Sequence, residues 1–232
     1  MFGIAAEGSE DMTKFASVPL ERPIRDLARL KKIVFEVSGI DLENIPQTDR
    51  QSLKSNLLSI NQESPADLPE HPNLSEMKDF LVPTLFIQSD NPEILELVHH
   101  ILTSEKTTQT DKVRKISDWI YRSIEKRPVL SLPDALSTLK NRMGDCNEHA
   151  ALFAAMSRAA GIPCRIEAGL AYLNGSFYYH AWNSVYLGKW ITVDSVFNQF
   201  PADVGHIALA DGENTLDLVG VIGKIGLKLV EP

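Results

Sequence analysis

The residues with the clearest chemical potential are a cysteine, a histidine and an aspartate that follow one another along the chain. Cys146 lies in the segment GDCNEH, His180 in YYHAW and Asp194 in WITVD. A thiolate can attack a carbonyl carbon, an imidazole can move the proton, and a carboxylate can hold the imidazole in one tautomer. Together, the three side chains would form a site for thiol-dependent acyl transfer.

The segment that starts at Cys146 predicts a buried helix with the thiol at its N-terminus. Gly144 breaks the preceding helical pattern, and the Ala-rich residues 146–160 are apolar on nearly all sides, up to a C-terminal Gly161. At a helix N-terminus the dipole and the unpaired N–H groups favour a thiolate. The same N–H groups could stabilise the oxyanion of a tetrahedral intermediate.

Downstream of this helix the hydrophobic period changes to two, which predicts three strands, at residues 164–173, 176–187 and 190–194. Asn174-Gly175 predicts the first hairpin turn, and Gly188 the second. Because the last two strands would run antiparallel, we expect His180 and Asp194 to lie side by side on one face of the sheet. The predicted fold class is therefore α+β, a buried Cys-bearing helix packed on an antiparallel sheet.

The rest of the chain suggests two parts, a β-rich N-terminal extension at residues 1–89 and a catalytic domain at 90–232. In the first part, residues 1–19 are expected to lie loosely on the surface and 47–73 to form mainly turns and loop. Three strands are predicted there: one that ends at Gly39, one near residues 57–60 and one at residues 81–87. Pro83 weakens the third prediction, because proline within a sheet is confined mainly to edge strands. Helices are predicted from Pro92, from about Thr110 and from residues 132–136, and a last strand at 225–229.

Composition excludes some classes of function. The 232 residues carry a net charge of −8 with no basic stripe, which argues against nucleic-acid binding. No apolar run is long enough to predict a membrane span. The first residues lack the charged and apolar regions of a secretory signal, and the sequence leaves the compartment open.

Other interpretations of the same residues remain possible at this point. Cys146 could be a small core residue, or the chain's two cysteines, Cys146 and Cys164, could form a disulfide. A zinc site made of both cysteines, His149 and His180 would lack a compact ligand spacing, so we expect no metal and no cofactor. His149 is expected to have a structural role. Gly144, Asp145 and Trp182 are candidates to line a substrate groove, although a strand tryptophan is more often a core residue.

Two long segments resemble the transglutaminase-like core of bacterial proteins. They are GDCNEHAALFAAMSRAAGIPCRIEAGLAY and FYYHAWNSVYLGKWITVDSVFNQFPADVGHI, and the resemblance covers about residues 110–210. It implies a papain-like fold in which Cys146 is the nucleophile, His180 the general base and acid, and Asp194 the orienting residue. The sequence departs from the family at Ser195-Val196, where many members have Pro-Thr, and at Cys164, where a small residue is common.

The resemblance also limits the activities to expect. The large calcium-regulated cross-linking members are unlike this chain, which has no calcium-loop spacing, and the zinc-binding Cys pairs of related amidases are missing. We expect a protein or peptide substrate, a thioester intermediate and resolution by water, as in a cysteine peptidase or deamidase. Resolution by a Lys amine, which would cross-link proteins, and a catalytically silent binding module are the alternatives.

Overall fold

A computed structural model of the chain describes residues 17–66, 68–69, 71–103, 107–129, 132–211, 221 and 223–231. Their contacts divide into two compact units. The first, called the strand unit, consists of residues 1–63, 167–181 and 202–232. The second, called the helix unit, consists of residues 64–166 and 182–201. The boundary that the sequence predicts between residues 89 and 90 stays a prediction.

The chain combines α-helices with mainly antiparallel strands, as the α+β prediction requires, and all the described α-helices belong to the helix unit. The described strands are β1 (Ser17–Pro19), β2 (Lys32–Ser38), β3 (Gln51–Lys54), β4 (Leu57–Asn61), β5 (Glu125–Lys126), β6 (Met143–Gly144), β7 (Cys164–Leu173), β8 (Ser176–Tyr186), β9 (Trp190–Val193), β10 (His206–Asp211) and β11 (Gly226–Glu231). The described α-helices are α1 (Pro92–Ile101), α2 (Gln109–Ser123), α3 (Ala135–Asn141) and α4 (Cys146–Ala159).

The helix unit is built around α4, which packs against the three other helices. Every residue from Glu148 to Arg158 is buried, which explains why this helix is apolar nearly all round. Gly161 adopts a positive φ of 75° just beyond its end, the left-handed conformation that glycine adopts without steric cost. The predicted bounds of the cysteine helix are thus confirmed.

Side-chain caps explain where the other helices begin. Asn91 accepts the N–H of Glu93 at the start of α1, and Thr108 forms a reciprocal capping box with Asp111 at the start of α2. Asp134 accepts the N–H of Ser137 at the start of α3. The first two starts agree with the sequence predictions within one residue, and the third lies inside the predicted segment 132–136.

Two short strand pairs in the helix unit hold the segments on either side of α4. Strand β9 runs antiparallel to the end of β8, with Asn183 opposite Val193 and Tyr186 opposite Trp190. Strand β5 runs parallel to β6, so that Lys126 lies opposite Gly144, two residues before Cys146. The chain therefore enters α4 from a backbone that is already hydrogen-bonded.

The strand unit contains a four-stranded antiparallel sheet in the order β11-β2-β4-β3. It also contains the second half of β7 paired with β10, and the first half of β8 paired with β1. Phe35 and Phe177 meet edge to face in its core, with ring centroids 5.4 Å apart. Arg50 is buried and donates hydrogen bonds to the carbonyl oxygens of Ala202 and His206.

The structure overturns several predictions for the chain outside the central region. Residues 81–87 do not form a strand; Pro83 lacks an N–H, and the buried Arg158 takes the Val82 carbonyl at 2.9 Å. Residues 17–19, expected to lie loosely, form β1, and residues 51–54, expected to be loop, form β3. Strand β10 was not predicted. Residues 1–16 lie outside the described part of the chain.

Within the described residues, none of the helices combines the length and the apolar composition needed to cross a bilayer.

Shortening a core side chain of α4 should destabilise the protein strongly. Phe153 is completely buried, and Phe153→Ala should lower the free energy of unfolding by about 3–5 kcal/mol. Leu95→Ala is the control, because Leu95 on α1 is 44% exposed and should cost less than about 1 kcal/mol. Urea denaturation monitored by circular dichroism would measure both. Equal losses in the two variants would contradict the central place of α4 in the core.

Candidate active site

Cys146 is the first residue of α4 and is partly exposed, whereas Cys164 is completely buried. Both cysteines are free, so the disulfide alternative is wrong. Among the described residues, the Cys146 N–H has no hydrogen-bond partner, as expected for the first turn of a helix. A partly accessible thiol beside an unoccupied N–H is what a nucleophile with its own oxyanion donor requires.

A capping box closes the first turn of α4 around Cys146. Asp145 accepts the Asn147 N–H at 2.8 Å, and its side chain also accepts the Glu148 N–H. In return, the Glu148 carboxylate accepts the Asp145 N–H at 3.0 Å. Asp145, predicted to line a substrate groove, therefore has a structural task at the helix start, and its place in a groove stays a prediction.

Glu148 is an acidic side chain in an unusual environment, since only 4% of its surface is exposed. Burial raises the pKa of its carboxyl to about 7, helped by the hydrogen bond and the negative charge of Asp145. Gly144, the other predicted groove residue in this turn, is buried beneath it. A Cβ at Gly144 would lie 2.3 Å from the Glu148 Cβ, so glycine is needed there for close packing.

His149 is completely buried at the same helix start. Its Nδ1 lies 2.7 Å from the Asp145 carbonyl oxygen, which can only accept, so Nδ1 carries the proton. Its Nε2 is buried and has no hydrogen-bond partner within the described part of the chain. Burial lowers the pKa of His149, and nearby Lys126 lowers it further against the opposite effects of Asp194 and Asp145. The structural role expected for His149 agrees with this position.

Asp194 follows β9 directly and is completely buried. Its Oδ1 accepts the N–H groups of Val196 at 2.7 Å and Phe197 at 2.9 Å. The backbones of Asp194 and Gln199 exchange two hydrogen bonds of 2.9 Å. Although Ser195-Val196 departs from the sequence common in the family, the Asp194 carboxylate is held in one orientation by the turn that it closes. Its charge also acts on Lys126 and His149 in the same unit.

His180 lies on β8 in the strand unit and is 9% exposed. The ring centroid of His206 lies 6.0 Å from that of His180. His206 is almost completely buried, and its Nδ1 is 3.1 Å from Oδ1 of Asp203. The sequence analysis assigned no role to His206, and the strand that it opens, β10, was not predicted. The one feature of the sequence that could have indicated this contact is the i,i+3 spacing of Asp203 and His206.

Trp182, the third groove candidate, is only 2% exposed. Burial of this kind favours the core role that is the more common one for a strand tryptophan. Whether Trp182 also contacts a substrate stays a prediction. The other strand tryptophan, Trp190, is partly buried and is stacked by Arg165, whose guanidinium carbon is 4.6 Å from the ring centroid.

Residues 97–195 match the sequence model of the Transglutaminase-like superfamily, and this interval contains Cys146, His180 and Asp194. The chain is also similar to the human "Kyphoscoliosis peptidase", with 35% identity over 120 residues, which are 44% of this chain and 18% of the human protein. The mouse protein of the same name is 32% identical over 167 residues, or 64% of this chain and 22% of that protein. The chain thus spans about a fifth of the length of these relatives.

A solved structure supports the fold independently. The "Putative Cysteine Protease from Cytophaga hutchinsonii" superposes with a TM-score of 0.54 at 20% identity, covering 84% of this chain and 83% of that one. At this identity the similarity demonstrates a shared fold. The α+β fold class expected from the sequence is therefore confirmed.

The buried Glu148 should make stability depend on pH. The pKa of its carboxyl is about 7 in the folded protein and near its ordinary value of 4.5 in the unfolded one, so the folded state binds more protons between these values. This contribution to stability is present below pH 4.5 and is lost as the pH rises through 7. Relative to Glu148→Gln, the wild-type melting temperature should fall over that interval in calorimetric scans.

The contribution of His149 to the pH dependence of stability has the opposite sign, because the pKa of His149 is lowered in the folded protein. Its contribution is lost as the pH falls below the unfolded value of about 6.5. Both proteins contain His149, so the difference between their melting curves reports Glu148 alone. Parallel curves for wild type and Glu148→Gln would show that the carboxyl titrates normally.

Proposed function

We propose that this chain, whose residues 97–195 belong to the transglutaminase-like superfamily, is a thiol-dependent enzyme that acts on protein or peptide amides. Cys146 is the nucleophile, His180 the general base and acid, and Asp194 the residue that orients the histidine. The observation that carries the proposal is the partly exposed thiol at the first residue of a buried helix, beside its own N–H, which has no partner among the described residues.

The first half of the reaction follows from the position of Cys146. Its thiolate attacks the carbonyl carbon of the amide, and the electron pair of the C=O bond moves to oxygen. The oxyanion lies where the Cys146 N–H can donate to it. Collapse of this intermediate breaks the C–N bond, the amine leaves with a proton from the imidazolium of His180, and a thioester remains.

The sequence supports the pairing of His180 with Asp194. The two residues lie on consecutive predicted strands joined by the turn at Gly188, with Asp194 at the end of the second strand. Neighbouring antiparallel strands can present such side chains on one face of a sheet.

Hydrolysis of the thioester is the outcome that we favour over transfer to an amine. The human and mouse relatives are named as peptidases, and water needs no second binding site. A Lys amine would need one, and it would turn the same intermediate into an isopeptide cross-link. Both outcomes share every step up to the thioester.

Alkylation tests the nucleophile first. At about pH 6 ordinary thiols react very slowly with iodoacetamide because few are ionised, but Cys146 should be labelled readily. Peptide mass spectrometry would give the rate at each cysteine, with the protein denatured in urea as the reference for an unperturbed thiol. A native Cys146 rate no faster than that of Cys164 in the denatured chain would rule out an activated thiol.

A product profile then identifies the reaction. The protein is incubated with Gln-containing peptides, with and without a primary amine. New N-termini indicate a peptidase, ammonia without chain cleavage a deamidase, and amine incorporation a cross-linking enzyme. Cys146→Ala should abolish whichever activity is found, while Cys164→Ala should retain it. Activity that survives in Cys146→Ala would show that the site lies elsewhere, and no product of any kind would favour the binding-module alternative.

Asp194→Asn should lower kcat by about 10²–10⁴-fold, because an amide no longer stabilises the imidazolium or selects the tautomer. The asparagine oxygen can still accept the N–H groups that Oδ1 of Asp194 accepts, so the turn should persist. Asp118→Asn on the exposed side of α2 is the matched control. A kcat within about threefold of wild type for Asp194→Asn would contradict the orienting role.

A further inference from the structure

Two histidines lie side by side in the strand unit, and the proposed chemistry uses only one of them. The ring centroids of His180 and His206 are 6.0 Å apart, with an angle of 57° between the ring planes. A ring nitrogen of one lies within 4.8 Å of a ring nitrogen of the other. Both are buried, and His206 is only 1% exposed. Burial of a second polar ring costs free energy that an apolar side chain would avoid, so the place of His206 beside His180 calls for an explanation.

The order of the strands brings the two rings together. Strand β7 lies between β8, which carries His180, and β10, which begins with His206. Neighbouring strands are about 4.8 Å apart, so the two outer backbones are about 10 Å apart and only side chains that lean over β7 can meet. Ala171 lies opposite His206, and a Cβ at Gly169 would lie 2.0 Å from the carbonyl oxygen of Ile207. The small residues of β7 thus let β10 approach closely and leave room for the rings.

A short turn holds the ring of His206. Its Nδ1 is 3.1 Å from Oδ1 of Asp203, and the same oxygen accepts the Gly205 N–H at 2.9 Å. A carboxylate can only accept, so Nδ1 of His206 carries the proton. Gly205 leaves room for the carboxylate, since a Cβ there would lie 3.0 Å from Oδ1 of Asp203 and 3.1 Å from Cβ of Tyr172. Asp203 therefore sets the orientation of the His206 ring.

The backbone of the same turn is fixed by Arg50. The guanidinium of this buried residue donates to the carbonyl oxygens of Asp203 and His206, and it pairs with Glu63 at 3.3 Å. The backbone N–H of His206 donates to the Asp203 carbonyl at 3.3 Å. The side chain and the backbone of His206 are thus both held, as is required of a residue that orients another side chain.

We propose that His206, held by Asp203, is a positioning residue for His180: its ring limits the orientations that the His180 imidazole can take. This inference rests on the proposed function, because it takes His180 as the general base and acid. Proton transfer needs the imidazole nitrogen within hydrogen-bond reach of the reacting atom. A displacement of about 1 Å can lower the rate by about 100-fold. The task of His206 differs from that proposed for Asp194, which selects the tautomer of His180.

His206→Asn removes the contact between the rings and keeps the turn. The amide nitrogen of asparagine takes the place of Nδ1 and can still donate to Asp203, but most of the ring is lost. Because the chemical step is impaired and substrate binding is not, kcat on the Gln-containing peptides should fall by about 10- to 100-fold, with KM within about twofold. Asp203→Ala, which frees the His206 ring, should also lower kcat. Asp203→Asn should restore most of it, because the amide oxygen can still accept both N–H groups.

Two control variants separate positioning from a general loss of stability. Phe35 is completely buried in the strand unit, where it packs against Phe177. Phe35→Leu should lower the melting temperature and leave kcat within about threefold of wild type. His100→Asn makes the same chemical change at an exposed position on α1 and should change neither. Equal losses of kcat in Phe35→Leu and His206→Asn would overturn the inference.

The NMR signals of the His180 ring give a second readout, which a merely structural role of His206 would not change. In protein labelled with ¹³C-histidine, and with the signals assigned by His180→Gln, wild-type His180 should give one sharp set. Relaxation dispersion should detect exchange between ring orientations in His206→Asn. Phe35→Leu should keep the single sharp set.

A kcat for His206→Asn within about threefold of wild type would overturn the inference, and so would a lower kcat with unchanged His180 signals. If His206→Asn does not fold, Asp203→Ala takes its place in both measurements. Several orientations of the His180 ring in the wild-type protein would overturn the inference without any variant.

The ring signals require no turnover, so their result is separate from the proposed function. A His180 ring that gains motion in His206→Asn, in a protein that converts no amide, would refute the proposed function and keep the positioning of His180 by His206. A ring that keeps one orientation in every variant, in a protein whose activity depends on Cys146, would refute the inference and keep the proposed function.

Discussion

The unpaired N–H groups at the start of α4 are the constraint on which the helix unit depends. A helix buried on all sides begins with polar groups that no preceding turn can satisfy, and leaving them unpaired in the interior is costly. Here Asp145 and Glu148 satisfy three of these donors between them. The Cys146 N–H stays without a partner among the described residues. The cap thus stabilises the helix and keeps one donor available beside the thiol.

The cap brings two carboxyl groups to one helix start. Carboxylates are good caps because they carry negative charge to the positive end of the helix dipole. Two charged carboxylates this close repel each other. Burial and the neighbouring Asp145 raise the pKa of the Glu148 carboxyl to about 7, so that near this pH it accepts the Asp145 N–H with less negative charge.

In the strand unit, a buried side chain of positive charge donates hydrogen bonds to backbone carbonyl groups. Arg50 is 6% exposed and donates to the carbonyl oxygens of Ala202 and His206, while pairing with Glu63 at 3.3 Å. These carbonyls belong to the segment that leads into β10, which carries His206 next to His180. In both units a buried charged side chain orders a loop whose backbone would otherwise remain unsatisfied.

Local signals in the sequence were sufficient for the elements around the site. Caps and glycines located α1 to α4, and Asn174-Gly175 located the β7–β8 hairpin, because these features act through neighbouring residues. The sequence did not predict β1 and β10, whose ladder hydrogen bonds come from strands distant in the chain. It also missed β3, although β3 pairs with the neighbouring strand β4 across a tight turn. Residues 81–87 were wrongly predicted as a strand, because the pattern of apolar residues there could not reveal that Arg158 takes the Val82 carbonyl.

The sequence by itself determined the three reactive residue types, their order and the helix and strands that carry them, because these depend on local periodicity and on turn and cap residues. Only the tertiary structure decided how each side chain is buried and charged. The sequence analysis assigned no role to Glu148, and only the folded chain shows that Glu148, packed against Gly144, and His149 are both buried. The physical reason is that desolvation depends on what packs against a group, and that comes from parts of the chain far away in sequence.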